Sequence, residues 1–320
     1  MNTNIKNNFY EANTLVTGGN GFIGSHIIKR LLAHGAYVNM LTRENSDLWR
    51  LEKDIHNIKI LKLDLNDKDK LRYCIKELKP EYVFHMAAYG VDHKNNDYTE
   101  AVNTNILGTV NLIEALYDVG CKKIINAGSG MEYGCFEGRI TEHTRLKPYN
   151  MYGSSKAAAT LIAHQIAKEM DISIITLRPF GIFGEYESSR RLFAHIILSI
   201  LKGADIKLTG CEQYRDYTYV GNIVDGFLIS ALNEKLQNEI FNIGSGDSYQ
   251  LKYYIELILN CLDTDSRPIL GAVSYRSHDL CRTEPDISKI KRLIGWEPAV
   301  SLEDGIQRMV QWFKNNVNRY

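Results

Sequence analysis

Thr14-Leu15-Val16-Thr17-Gly18-Gly19-Asn20-Gly21-Phe22-Ile23-Gly24 is a short apolar run that stops at glycines and then resumes with helical spacing as far as His34. Thr14–Thr17 reads as a buried strand and Phe22–His34 as a helix. The glycines between them follow G-x-x-G-x-x-G. Glycine permits the tight turn and the close approach of backbone to a pyrophosphate. The first amides of the helix, at Phe22 and Ile23, and its dipole then bind that anion. A glycine loop after strand one and before helix one is in the setting this mechanism needs. Gly18, Gly21, Phe22, Ile23 and Gly24 are therefore candidate dinucleotide contacts.

Outward from that turn, strands and helices alternate. Tyr37–Thr42, Ile58–Leu63, Tyr82–Ala87, Lys123–Ala127 and Ser173–Leu177 read as strands, with helices over Lys68–Leu78 and Asn103–Leu116. The alternation predicts the α/β class, a Rossmann-type doubly wound parallel sheet. The end of the second strand bears on the cofactor. An acid there would bond a ribose 2′-hydroxyl and an arginine would suit a 2′-phosphate. Thr42-Arg43 has no acid before Glu44, which favours NADP over NAD. Asp64, with Leu65 behind it, is placed to accept from an adenine amino group; its alternative is a turn or capping residue before Asp67.

Composition narrows the class of ligand. The 320 residues carry 38 basic and 38 acidic side chains, so no net field draws the chain to nucleic acid or to a membrane surface. No run reaches the ~18 apolar residues of a membrane span, and residues 1–13 lack an apolar signal core. A cytoplasmic protein with small-molecule ligands is expected. The six cysteines form no C-x-x-C pair and suit neither zinc nor a disulfide framework, so reduced thiols are expected. The nine histidines form no metal-ligand group, and no metal is expected.

Tyr152 and Lys156 stand four apart at the head of a run, Ala157–His164, free of Gly and Pro and rich in helix formers. On a helix they share a face. A free phenol has a pKa near ~10. A fixed ammonium, helped by an oxidised nicotinamide ring, is expected to lower it until Tyr152 can trade protons with a sugar hydroxyl or ketone.

Taken in order, the glycine loop, Asp64, His85-Met86-Ala87-Ala88, Asn105-Ile106-Leu107-Gly108-Thr109, Ser129 and the Tyr152/Lys156 pair make the chain resemble the extended short-chain dehydrogenases/reductases. More narrowly, it resembles the nucleotide-sugar epimerases, dehydratases and ketoreductases, as far as Gly295-Trp296-Glu297-Pro298. The resemblance implies a dinucleotide-binding domain over 1–180 and a smaller mixed α/β domain over 181–320 for a nucleoside-diphosphate sugar. A stretch of about 216–245 would return to the main sheet. It implies that Ala87 and Ala88 line the cofactor and that Asn105 steadies its pocket. Pro179 would lie beside the nicotinamide, and Lys156 would also bond its ribose. Ser129 would hold the reacting oxygen, next to Gly130, Phe180 and Gly181 on the substrate side. Arg215, in R-D-Y-T-Y-V, and Arg276 would grip the diphosphate. Relatives usually dimerise through the two helices that carry Asn105 and Tyr152.

Two departures matter. Family dehydratases place an Asp-Glu pair directly after the Ser/Thr, where this chain has Gly130 and Met131, so dehydration is not expected. Many relatives have an asparagine at Gly181. The leading expectation is an NADPH-dependent 4-ketoreductase of a nucleotide-linked 4-keto-6-deoxyhexose. The alternative is a 4-epimerase with retained NAD, and a remote one a non-catalytic dinucleotide sensor.

Overall fold

The protein was analysed as a computed structural model that describes residues 8–91, 97–136, 138–275 and 280–320. Its first half runs β1 (Asn13–Thr17), α1 (Phe22–Ala33), β2 (Tyr37–Thr42), β3 (Ile58–Lys62), α2 (Lys68–Leu78), β4 (Tyr82–His85), α3 (Tyr98–Val102), a π-helical turn at Asn103–Leu107, α4 (Gly108–Tyr117), β5 (Lys123–Ala127), α5 (Met151–Glu169) and β6 (Ile174–Pro179). The second half runs β7 (Gly181–Phe183), α6 (Leu192–Leu201), β8 (Tyr214–Arg215), β9 (Tyr217–Tyr219), α7 (Val220–Leu232), β10 (Glu239–Ile243), β11 (Tyr249–Gln250), α8 (Leu251–Leu262), α9 (Ser288–Ile294) and α10 (Leu302–Asn316).

Seven strands form one parallel sheet in the order β10-β6-β5-β4-β1-β2-β3, the expected Rossmann arrangement. The chain leaves β1 for β2 and β3 on one side, then returns to place β4 on the other. A crevice therefore opens at the carboxyl ends of β1 and β4, where open α/β sheets bind ligands. The strands are apolar along their length because helices cover both faces. Leu15, Val83 and Ile124 face Leu71, Ile75, Leu112 and Leu116 of α2 and α4. Val16, Phe84 and Ile125 face the opposite layer with Ile27, Ile28 and Leu31 of α1 and Ile223 and Phe227 of α7. Each such side chain contributes roughly 1.5–3 kcal/mol by leaving water.

The second half does not stay apart from this sheet. β10 pairs with β6, Phe241 opposite Leu177, and the apolar core continues through Phe183, Phe193, Trp296 and Phe313. Asn222 on α7 accepts from the Ala299 and Val300 amides at 3.1 and 2.9 Å, and its carbonyl takes the Trp296 indole N–H at 3.0 Å. Asp216 accepts from the Ser245 and Gly246 amides and the Ser245 hydroxyl at 2.7–2.9 Å, which ties the R-D-Y-T-Y-V segment to the Phe241–Gly246 loop. Among the described residues no helix is long and apolar enough to cross a membrane, and no cluster of metal-ligating side chains occurs.

One expectation fails here. Cys135 and Cys281 are joined in a disulfide, Cα atoms 5.4 Å apart and 146 residues apart in sequence; only the other four cysteines are thiols. The pairing depends on tertiary placement, which brings the loop after the Gly130–Glu132 turn against the segment before α9. Closing so long a loop restricts the unfolded chain, worth about 2–4 kcal/mol in typical cases. Denatured but unreduced protein should therefore titrate four thiols, and six after reduction. The Cys135→Ser/Cys281→Ser pair should lower the urea midpoint correspondingly; six thiols without reduction would remove the cross-link.

Candidate active site

The turn after β1 sets the floor of the crevice. Gly18 has φ +63°, and a Cβ there would sit 2.6 Å from the Ala87 nitrogen. At Gly24 a Cβ would strike the Gly18 carbonyl, so α1 starts tight against the turn. Gly21 is its N-cap, with no side chain to cap it, so the first amides of α1 are left for a partner from outside the helix. At the wall, Thr42 Oγ1 is buried with no hydrogen-bond partner. The backbone cradle and this orphaned hydroxyl fit a dinucleotide.

The remaining cofactor candidates are distributed as follows. Ala87 is half-buried and Ala88 exposed just beyond β4, and the Ala87 amide reaches Thr17 Oγ1 at 3.3 Å. Asn105, fully buried in the π-helical turn, accepts from the Tyr89 amide at 2.7 Å. It donates to the Tyr89 carbonyl at 2.9 Å and to Ser155 Oγ at 2.8 Å, so it clamps the loop after β4 to α5. Asp64 is exposed at the end of β3 and accepts from the Asn66 amide at 2.8 Å, a turn role. Leu65 is buried against Gly108. Arg43 does not reach into the crevice alone; it pairs with Glu100 at 2.9 Å on the surface.

His85 is knitted between Thr17 Oγ1 at 2.7 Å and Thr109 Oγ1 at 2.9 Å. Burial, with Lys156 nearby, pushes its pKa down to about 3, so it is a neutral strut between β1, β4 and α4.

Helix α5 delivers the tyrosine and lysine. Asn150 caps it by accepting from the Gly153 amide at 2.8 Å. Gly153 lets the helix press on the Met131 carbonyl, where a Cβ would collide. That contact sets Tyr152 beside Ser129, and a hydrogen bond from Ser129 favours the phenolate. Lys156 lies on the same face and is 1 % exposed. The expected acidification of Tyr152 by Lys156 is not what the electrostatics give. Burial pushes the phenol up to about 12; Ser129 and Arg191 act against that rise and Glu132 adds to it. Burial pushes Lys156 down to about 8, opposed by Glu132. Desolvation is the largest cause for both groups, and neither acts measurably on the other.

On the substrate side, Gly130 packs under Phe180, whose ring stacks on Tyr133 with centroids 6.3 Å apart. Pro179 ends β6, half-buried. The Gly181 amide donates to the Asp216 carbonyl at 3.0 Å, and a Cβ at Gly181 would collide with that carbonyl. The pairing of β7 with β9 thus excludes the asparagine of the relatives. Arg215 donates to the Tyr214 carbonyl at 2.8 Å and to the Cys281 carbonyl, beside the disulfide. Arg276 lies outside the described residues.

Sequence reasoning assigned no role to two groups near this centre. Arg191, exposed at the start of α6, acts on the Tyr152 phenol. Glu187 is buried with an unpartnered oxygen, and burial, opposed by Arg191 and Arg50, pushes its pKa up to about 8. An acidic residue in a loop with two arginines close behind gave no such signal, because only the fold of that loop buries it.

Comparison with known proteins bears on the family and the fold. A UDP-glucuronate 4-epimerase of Thermodesulfobacterium geofontis is 29% identical over 95% of this chain and 96% of its own. Among solved structures, UDP-glucose 4-epimerase of Thermotoga maritima with UDP-glucose superposes with a TM-score of 0.87 at 28% identity, covering 95% of this chain and 99% of that one. The dTDP-glucose 4,6-dehydratase of Bacillus anthracis in complex with NAD gives 0.86 at 25% identity, covering 97% and 98%. The model of the NAD dependent epimerase/dehydratase family matches residues 14–244, from the first residues of β1 through the loop after β10, and the chain belongs to that family.

Proposed function

We propose that the protein is a nucleotide-sugar 4-epimerase that retains NAD, with Tyr152, Lys156 and Ser129 as its reacting group. The observation that carries this reading is the hydrogen bond between Ser129 and Tyr152, with Lys156 buried one helical turn further along α5. NAD, when bound, supplies the acceptor and donor of hydride. Tyr152 takes the proton from the sugar 4-hydroxyl and returns it after the keto sugar has turned over. Ser129 holds the reacting oxygen, and Lys156 donates to the cofactor ribose and offsets the charge on the phenolate. Gly18, Gly21, Phe22, Ile23 and Gly24 hold the pyrophosphate. Arg215, which donates to the Tyr214 and Cys281 carbonyls, would grip the substrate diphosphate.

The ketoreductase expectation rested on Arg43 as a reader of a 2′-phosphate. With that guanidinium engaged by Glu100, NAD is the better choice. Dehydration would need an acid and a base where Gly130 and Met131 stand, and Glu132 is turned into the core against Arg178. The epimerases among the relatives act on UDP sugars, which makes a UDP sugar the first substrate to try. A homodimer through α4 and α5 fits the exposure of Leu107, Leu161 and Ile162 on and beside those helices.

Purified protein should release NAD on denaturation and interconvert C4 epimers of a UDP sugar with no net change in NADH. Consumption of one NADPH per sugar would restore the reductase. Tyr152→Phe should cost about 10²–10⁴ in turnover while NAD stays bound; wild-type turnover would remove Tyr152 from the chemistry. Because the Lys156 ammonium is present below about pH 8 and lost above it, NAD affinity should fall as pH rises through that value. An affinity that stays flat to pH 10 would contradict the role given to its charge.

A further inference from the structure

We propose that Glu132 is a positioning residue for this group: its buried carboxylate fixes the backbone of Ser129 and sets the electrostatic field around Tyr152 and Lys156. The proposal rests on the reading of those three residues given above. Glu132 is 0 % exposed, and three elements converge on it. Its Oε1 accepts from the Ser129 amide at 2.8 Å and from Thr160 Oγ1 of α5 at 3.1 Å. Its Oε2 accepts from Arg178 Nε of β6 at 2.8 Å. Arg178 continues to the Tyr133 hydroxyl at 2.8 Å, which donates to Asn242 Oδ1 of β10 at 2.7 Å. At Gly128 a Cβ would come within 2.8 Å of Glu132 Oε1, so the backbone is drawn closely around the pair.

With three donors inside the core, this carboxylate is not placed to serve the substrate as acid or base. It acts through what it holds. The same turn that Glu132 closes from one end is closed by Ser129 from the other, whose Oγ accepts from the Met131 amide at 3.1 Å. Its charge favours the Lys156 ammonium and disfavours the Tyr152 phenolate. The charged and titratable groups around it are Arg178 from β6, Tyr152 and Lys156 from α5 and Tyr133 from its own turn. Arg191 acts on Tyr152 from the start of α6, Glu142 acts on Tyr133, and His85 of β4 senses Lys156. A glutamine would turn an N–H toward one of these donors, so two acceptor oxygens are required as well as the charge.

The test uses the full chain as Glu132→Gln and as Glu132→Val/Arg178→Leu, which replaces the buried pair by apolar side chains. The readouts are the pH profile of epimerisation and the pH dependence of NAD affinity. Loss of the negative charge lowers both pKa values. Both limbs of the rate profile, and the pH at which NAD affinity falls, should therefore move down by roughly 0.5–1 unit, with turnover reduced about tenfold or more. A lower plateau with unmoved limbs, in either variant, would reduce Glu132 to a packing role and overturn the proposal. So would failure of both variants to fold into an NAD-binding species. Tyr152→Phe, run in parallel, separates the two questions: if it keeps full turnover the reading of the site fails, whatever Glu132 does.

Discussion

The approach of Gly18 to the end of β4 is the constraint from which the site follows. A Cβ at Gly18 would sit 2.6 Å from the Ala87 nitrogen and 2.7 Å from the Met86 carbonyl carbon. Such a contact exists only because β4 lies next to β1, where the strand order reverses. Glycine and strand order are thus two sides of one packing requirement. Once it is met, the carboxyl ends of the parallel strands all face one crevice, and the loops after β5 and β6 carry Ser129 and Phe180 to it. Helix α5 then needs only Gly153, pressed on the Met131 carbonyl, to bring its first turn alongside.

Around that crevice the electrostatics are governed by burial more than by pairing. Lys156 and Tyr152 are each pushed toward their neutral forms, in opposite directions on the pH scale. The strongest charge pair nearby, Glu132 with Arg178, lies beneath the turn rather than in the crevice. Removing either partner alone would strand a buried charge, at a cost of about 3–5 kcal/mol.

Much of the fold was legible because the first half follows simple periodicities. Tyr37–Thr42, Lys68–Leu78 and Lys123–Ala127 have the bounds that apolar spacing assigns, and Phe22 starts the helix after the glycines. Asn103–Leu116 was read as one helix. The structure interrupts it with a π-helical turn that turns Asn105 toward Tyr89 and Ser155, a distortion that residue type does not encode. The glycine turn and the position of Tyr152 beside Ser129 could be read from motif and spacing. Three features could not be, because each depends on distant chain. Cys135 and Cys281 meet only after the second half folds over the first. Arg43 finds Glu100 across the loop after β2. The ionisation of Tyr152 and Lys156 depends on how much of the protein covers them, and the i,i+4 spacing says nothing of that.

Gly181 has a consequence for how this chain can vary. Its amide holds the Asp216 carbonyl, and its α-carbon has no room for a substituent beneath that same oxygen. A lone codon change there to asparagine would break the seam between β7 and β9 before the new amide could grip any ligand. A larger side chain can enter there only if Asp216 or Tyr217 shifts in the same step, so the position is locked by its neighbours.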